Sequence, residues 1–121
     1  MRQSPVFVGI NMNAPHAAVD FILKNAPDYA KAKSQRIFLE EYRKSKKALL
    51  MKDALLAGIE AANAQEREAY SHHEYIELLK GLAEAVEIEE TLKWKLEAAR
   101  MRTEIWKTEE YTNRKTDKVL V

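Results

Sequence analysis

Only three glycines and three prolines punctuate 121 residues, and two of the prolines lie within the first fifteen. Few turn-formers mean few turns, so a chain of this kind folds into long elements. Ala, Glu, Lys and Leu dominate the rest, as they do in long helices and coiled coils. With 46% hydrophobic and 32% charged residues the chain falls among folded proteins rather than disordered ones. Its length predicts one domain.

There is no cysteine. That excludes a disulfide framework, a thiolate metal site and a cysteine nucleophile. No apolar run approaches the ~18–20 residues that span a bilayer. The stretch Val6-Phe7-Val8-Gly9-Ile10 is too short for the core of a signal peptide. A soluble, cytoplasmic protein with no membrane partner is expected.

Residues 1–14 read as an irregular arm in which Val6–Ile10 has strand-like composition but no partner strand. A short helix is predicted over about 15–25, starting at Pro15, a residue favoured at the first helical position. Pro27 should end or kink it, because proline lacks a backbone donor and clashes with the preceding turn. A second helix is predicted over about 27–57. Tyr42, Leu49 and Leu56 recur at seven along it, with Phe38 and Ser45 between them, a heptad-like stripe. Gly58 is the predicted stop. Residues 59–70 read as either a short helix or a loop.

Ser71 followed by Glu74 has the form of a capping box, so a third helix is predicted over about 71–113. Leu78, Leu82, Ala85, Leu92, Leu96, Ala99 and Trp106 form its apolar stripe. Gly81 inside it suggests close approach of a neighbour. Residues 114–121 read as a frayed tail. The fold class is all-α, an antiparallel, coiled-coil-like hairpin of long helices. Two long helices leave part of each stripe wet, so a homo-oligomer that builds a helical bundle is expected. Leu92, Trp94, Leu96 and Trp106 are the candidate packing residues.

Two opposed charge blocks set the functional question. Residues 31–52 carry eight Lys/Arg against two acids, and residues 60–90 carry nine acids against two bases. The basic block is the best candidate for a binding surface. Arg36, Arg43, Lys44, Lys46 and Lys47 are suited to phosphates, with Tyr42 placed to stack on a base. The alternative is neutralisation inside the fold. A hairpin turn near residue 65 would set Lys46 level with Glu84 and Arg43 with Glu87. It would also set Glu40 and Glu41 level with Glu89 and Glu90, acid against acid, leaving Lys44 and Lys47 for a partner.

Other clusters read as structural. Glu84, Glu87, Glu89 and Glu90 lack the Glu-x-x-His pattern of carboxylate metal helices and read as a solvated face. His72 and His73 are adjacent, hence about 100° apart on a helix, and share a metal poorly. Trp94 and Trp106 read as packing residues, although Lys93, Lys95, Arg100, Arg102 and Lys107 surround them. No phosphate loop, nucleophile elbow or metalloprotease motif occurs. No catalytic residue, metal or cofactor is expected.

Tyr29-Ala30-x-Ala32, the run from Phe38 to Met51, the run from Gln65 to Tyr70, and Leu92-Lys93-Trp94 resemble small helical proteins of tailed bacteriophages. The resemblance spans most of residues 17–113. Such proteins tend to be encoded in early gene regions, beside recombination and single-strand-binding genes. It implies a phage or prophage origin and a cytoplasmic location in a bacterial host. It also implies a non-enzymatic accessory role in DNA recombination or replication. DNA, or a single-strand-binding or recombination protein, would be the partner. The alternative is a protein-binding or structural module that docks a host or phage protein without binding DNA.

Overall fold

The computed structural model describes residues 15–120. The predicted arm, with its Val6–Ile10 stretch, lies outside the described residues. Within them the chain is all-α: three helices, α1 (Pro15–Leu56), α2 (Ala62–Ser71) and α3 (His73–Leu120), and no strand.

The break predicted at Pro27 does not occur; α1 runs through it for 42 residues. A proline inside a helix removes one backbone bond and strains the turn before it. Pro27 is exposed, and the helix continues on either side of it. Ala18 on one side and Ala32 on the other are buried, and the Asn25 side-chain amide donates to the Phe21 carbonyl at 2.8 Å. Two separate helices over 15–25 and 27–57 are therefore corrected to one. The third helix likewise continues beyond residue 113 to Leu120.

Gly58 ends α1 in the way its residue type predicts. Its φ is +101°, a conformation that side-chain-bearing residues rarely adopt. The Gly58 N–H donates to the Leu55 carbonyl and the Ile59 N–H to the Ala54 carbonyl, at 3.0 and 2.9 Å. This pair of bonds is a Schellman motif, which satisfies carbonyls the helix end would orphan. The undecided segment 59–70 resolves into a loop and α2. Ala61 offers no capping side chain. Instead the Gln65 amide reaches back to the carbonyls of Ile59 and Glu60.

The predicted capping box at Ser71 is corrected as well. Ser71 is the last residue of α2, and its hydroxyl donates to the Arg67 carbonyl at 2.8 Å. The residue between α2 and α3 is His72, extended at φ −69° and ψ 137°. Its N–H donates to the Ala69 carbonyl and so closes α2. Its Nδ1 accepts the Glu74 N–H at 3.1 Å and so opens α3. One histidine thus caps two helices.

The described chain divides into two compact units. One contains α1 up to Tyr29 and α3 from Thr91. There Ala18 and Ala99 are fully buried. Ile22 and Tyr29 of α1 line one concavity with Lys93, Leu96, Glu97 and Arg100 of α3. The other unit, Ala30–Glu90, contains the rest of α1, all of α2 and the start of α3. Its core is Leu50, Ala69 and Tyr75, with Met51 against it, and Ala32, Ala54 and Ala85 are buried too. Small side chains at these positions let helix backbones come close. At Gly81 the sequence predicts close approach, but an added Cβ would meet nothing within 4 Å. The glycine lines a gap with Ala32, Gln35, Leu39 and Ala85 instead.

Candidate functional site

The basic block lies on α1 in the Ala30–Glu90 unit, and four of its eight cations, Arg36, Lys44, Lys46 and Lys47, are paired with acids of the same unit. Arg36 is the clearest case. Its Nε donates to Glu89 Oε1 at 2.6 Å, and a terminal nitrogen donates to Glu89 Oε2 at 3.0 Å. Its other terminal nitrogen donates to Glu40 at 2.7 Å. Glu89 is only 5% exposed, the one buried charged residue among those described. A carboxylate there is tolerated because a bidentate guanidinium satisfies both oxygens. The hydrogen bonds that Arg36 donates to Glu89 first, then Glu40, hold its guanidinium still more firmly in the charged form.

Lys46 pairs with Glu74 at 2.5 Å, and Lys47 with Glu66 at 2.6 Å. The hydrogen bond that Lys46 donates to Glu74 raises Lys46 above the ordinary lysine value and depresses Glu74. Lys47 is raised by Glu66 and then by Tyr70, over whose ring its ammonium sits at 4.6 Å. Lys44 makes an exposed contact with Glu41 at 3.4 Å.

These pairs correct the predicted register. Lys46 meets Glu74 rather than Glu84, and the Glu40 and Glu89 carboxylates share Arg36 rather than opposing each other unrelieved. Lys47, expected to be left for a partner, has one in Glu66. The shift arises because α2 occupies the connection: it supplies Glu66 and buries Ala69 against Leu50 and Tyr75. Tyr70 and Tyr75 pack edge to face at 5.4 Å. With Arg43, Lys44 and Lys47 they line an open concavity of ≈ 470 Å³.

The apolar stripe of α1 has the opposite fate. Phe38, Tyr42, Leu49 and Leu56 are 61%, 37%, 50% and 77% exposed. Phe38 and Tyr42 stack on each other at 5.7 Å in near-parallel planes. Beside half-buried Glu40 and Lys47, the buried or half-buried residues over 32–50 are Ala32, Arg36, Leu39, Arg43, Lys46 and Leu50. They follow the same alternating spacing of three and four, on the other side of the helix. Two heptad stripes therefore run along α1, and the one richer in large apolar residues faces solvent. Of the four residues expected to pack an oligomer, Leu92 and Leu96 are half-buried, while Trp94 and Trp106 are exposed. Lys93 lies over the Trp94 ring at 5.6 Å.

His72, His73 and Glu74 bring three ligating atoms within 4.8 Å of one another, and the two imidazoles stack at 4.7 Å. The local bonding disfavours a cation. His72 Nδ1 is occupied as a helix cap, so its proton is on Nε2, and Glu74 is already engaged by Lys46. A helix N-terminus also carries positive potential. Among the described residues no helix is long and apolar enough to cross a membrane. No protein-family model, curated protein or solved structure matches this chain.

Proposed function

We propose that this chain is a non-enzymatic docking module that recognises a partner protein through a helix surface. The exposed heptad stripe Phe38, Tyr42, Leu49 and Leu56 carries this reading. Apolar residues at 3.5-residue spacing match a partner helix, whose knobs enter the holes between them. The cations that would otherwise mark a nucleic-acid surface, Arg36, Lys46 and Lys47, are engaged by Glu89, Glu74 and Glu66. The pairs 36 with 89 and 46 with 74 support an antiparallel hairpin of α1 and α3 in this unit. An added helix on the outer stripe would extend that hairpin toward a bundle.

Affinity purification from the native cell tests the reading, comparing the intact chain with a Phe38→Glu/Leu49→Glu variant of equal helicity. A protein recovered in fixed stoichiometry by the first and lost by the second is expected. Equal recovery by both removes the proposal.

One observation favours a second reading, the accessory role in phage DNA recombination or replication implied by the resemblance. Arg43 and Lys44 flank the exposed Tyr70 in one concavity floored by buried Tyr75, a cationic and aromatic surface suited to a phosphate backbone and a base. Binding to single-stranded DNA would then weaken steeply with salt. Arg43→Glu/Lys44→Glu should abolish that binding; an unchanged affinity and salt slope would exclude the role.

A further inference from the structure

We infer that the outer stripe of α1 is covered by α1 of a second copy of this chain, running antiparallel. This inference rests on reading that stripe as a docking surface, and it names the occupant.

The spacing identifies the occupant as a helix. Phe38, Tyr42, Ser45, Leu49, Lys52 and Leu56 follow one another at intervals of four, three, four, three and four. This is the a/d seam of a coiled coil, and all six residues are exposed. Every position is helical within a single unbroken α1.

Charge then selects both the copy and the direction. A parallel, in-register pair would set Lys52 against Lys52 in the seam, like charge on like charge. An antiparallel pair sets a positions against d positions about a two-fold axis level with residue 47. Phe38 then meets Leu56 of the second copy at each end of the seam. Ser45 meets Leu49 of the second copy on either side of the axis. Lys52 comes level with Tyr42 of the second copy, beside Glu41 of that copy. There an ammonium finds an aromatic face and a carboxylate. Reversal thus removes the like-charge contact at Lys52 while keeping the same patch on both copies, an isologous two-fold interface.

The area is of the right order. Side chains of roughly 200 Å² each, at the exposures of Phe38, Tyr42, Leu49 and Leu56, offer about 400 Å² per copy. The two copies together offer about 800 Å², half of a standard interface of about 1,600 Å². Ile37, Ala48 and Leu55, also exposed, flank the seam and extend it.

The test is sedimentation equilibrium of the full chain combined with distance measurement between spin labels. The chain lacks cysteine, so Lys31→Cys gives one label site per copy. Antiparallel pairing about residue 47 separates the two sites by 32 residues of helix, about 48 Å. Parallel pairing brings them within about 20 Å. A dimer with the long distance is expected. Leu49→Glu should raise its dissociation constant about 10–100-fold, whereas Ser45→Leu should lower it. Circular dichroism confirms that both variants remain helical.

A dimer with the short distance overturns the inference, as does one whose affinity neither variant changes. A monomer that still recovers a protein through Leu49 overturns self-pairing and keeps the docking reading. A monomer that recovers nothing removes both.

Discussion

Arg36 grips the Glu89 carboxylate at two points, 2.6 and 3.0 Å, at a position where the acid is almost wholly buried. The two residues are 53 apart in sequence. The guanidinium also holds Glu40, so one cation neutralises two acids. Removing one member leaves an uncompensated charge, which harms stability more than removing the pair together. Arg36→Met should therefore lower the melting temperature more than Arg36→Met/Glu89→Met does, and far more than Lys44→Met. Calorimetry of the four proteins checks the order; an Arg36→Met melting point equal to that of Lys44→Met would show the pair to be inert.

His72 caps α3 through Nδ1, while the Ser71 hydroxyl serves only the last turn of α2. His72→Ala should destabilise the protein by about 1 kcal/mol, the usual value of a lost N-cap. His72→Asn, which keeps an acceptor, should retain most of it. Ser71→Ala should be near neutral. Denaturant unfolding of the three variants distinguishes this cap from a Ser71 capping box, which would reverse the order.

Gly81 faces open space inside α3. Gly81→Ala adds a methyl without a clash and restores helix propensity, so a gain of about 1 kcal/mol is expected. If a close backbone approach needed the glycine, the same substitution would destabilise, and a urea titration reads the sign directly.

Pro27 lies within α1. Pro27→Ala restores a backbone donor and relieves the ring's clash with the preceding turn, and should stabilise the helix by up to about 3 kcal/mol. Helicity should not fall. A loss of stability would mean that the proline itself contributes to the native packing.

Acid should weaken the protein through Glu74 and Glu97, held below the ordinary value of 4.5 by hydrogen bonds from Lys46 and Arg100. A carboxyl with a depressed folded value binds fewer protons folded than unfolded. Its contribution is present above the ordinary carboxylate range and lost as pH falls through it. Lys46 and Lys47 are raised, so their contribution is complete below the ordinary lysine range and lost only as pH climbs through their folded values. Thermal melts in acid should fall less steeply for Glu74→Gln/Glu97→Gln than for the parent. Parallel curves would exclude these two pairs as contributors.

The sequence by itself determined the local elements. Scarce glycine and proline dictated long helices. Gly58 dictated a stop, because only glycine takes its conformation without strain. The three-four spacing of Leu78, Leu82, Ala85, Leu92, Leu96 and Ala99 marked the inward face of α3, where these residues are buried or half-buried, although Trp106, read into the same stripe, is exposed. Each is a property of a residue and its near neighbours along the chain.

Tertiary structure decided what α1 does with its two faces. Judged by hydrophobicity, Phe38, Tyr42, Leu49 and Leu56 should face inward, yet the inward face holds Ala32, Arg36, Leu39, Arg43, Lys46 and Leu50. The choice depends on register. That register is set by α2, which brings Glu66 to Lys47 and packs Ala69 on Leu50 and Tyr75. It also depends on Arg36 reaching a carboxylate 53 residues away. Likewise α1 runs through Pro27 despite that residue's local penalty. Local propensity is written in consecutive residues; the partner of a charge and the outward face of a helix are settled only when distant segments meet.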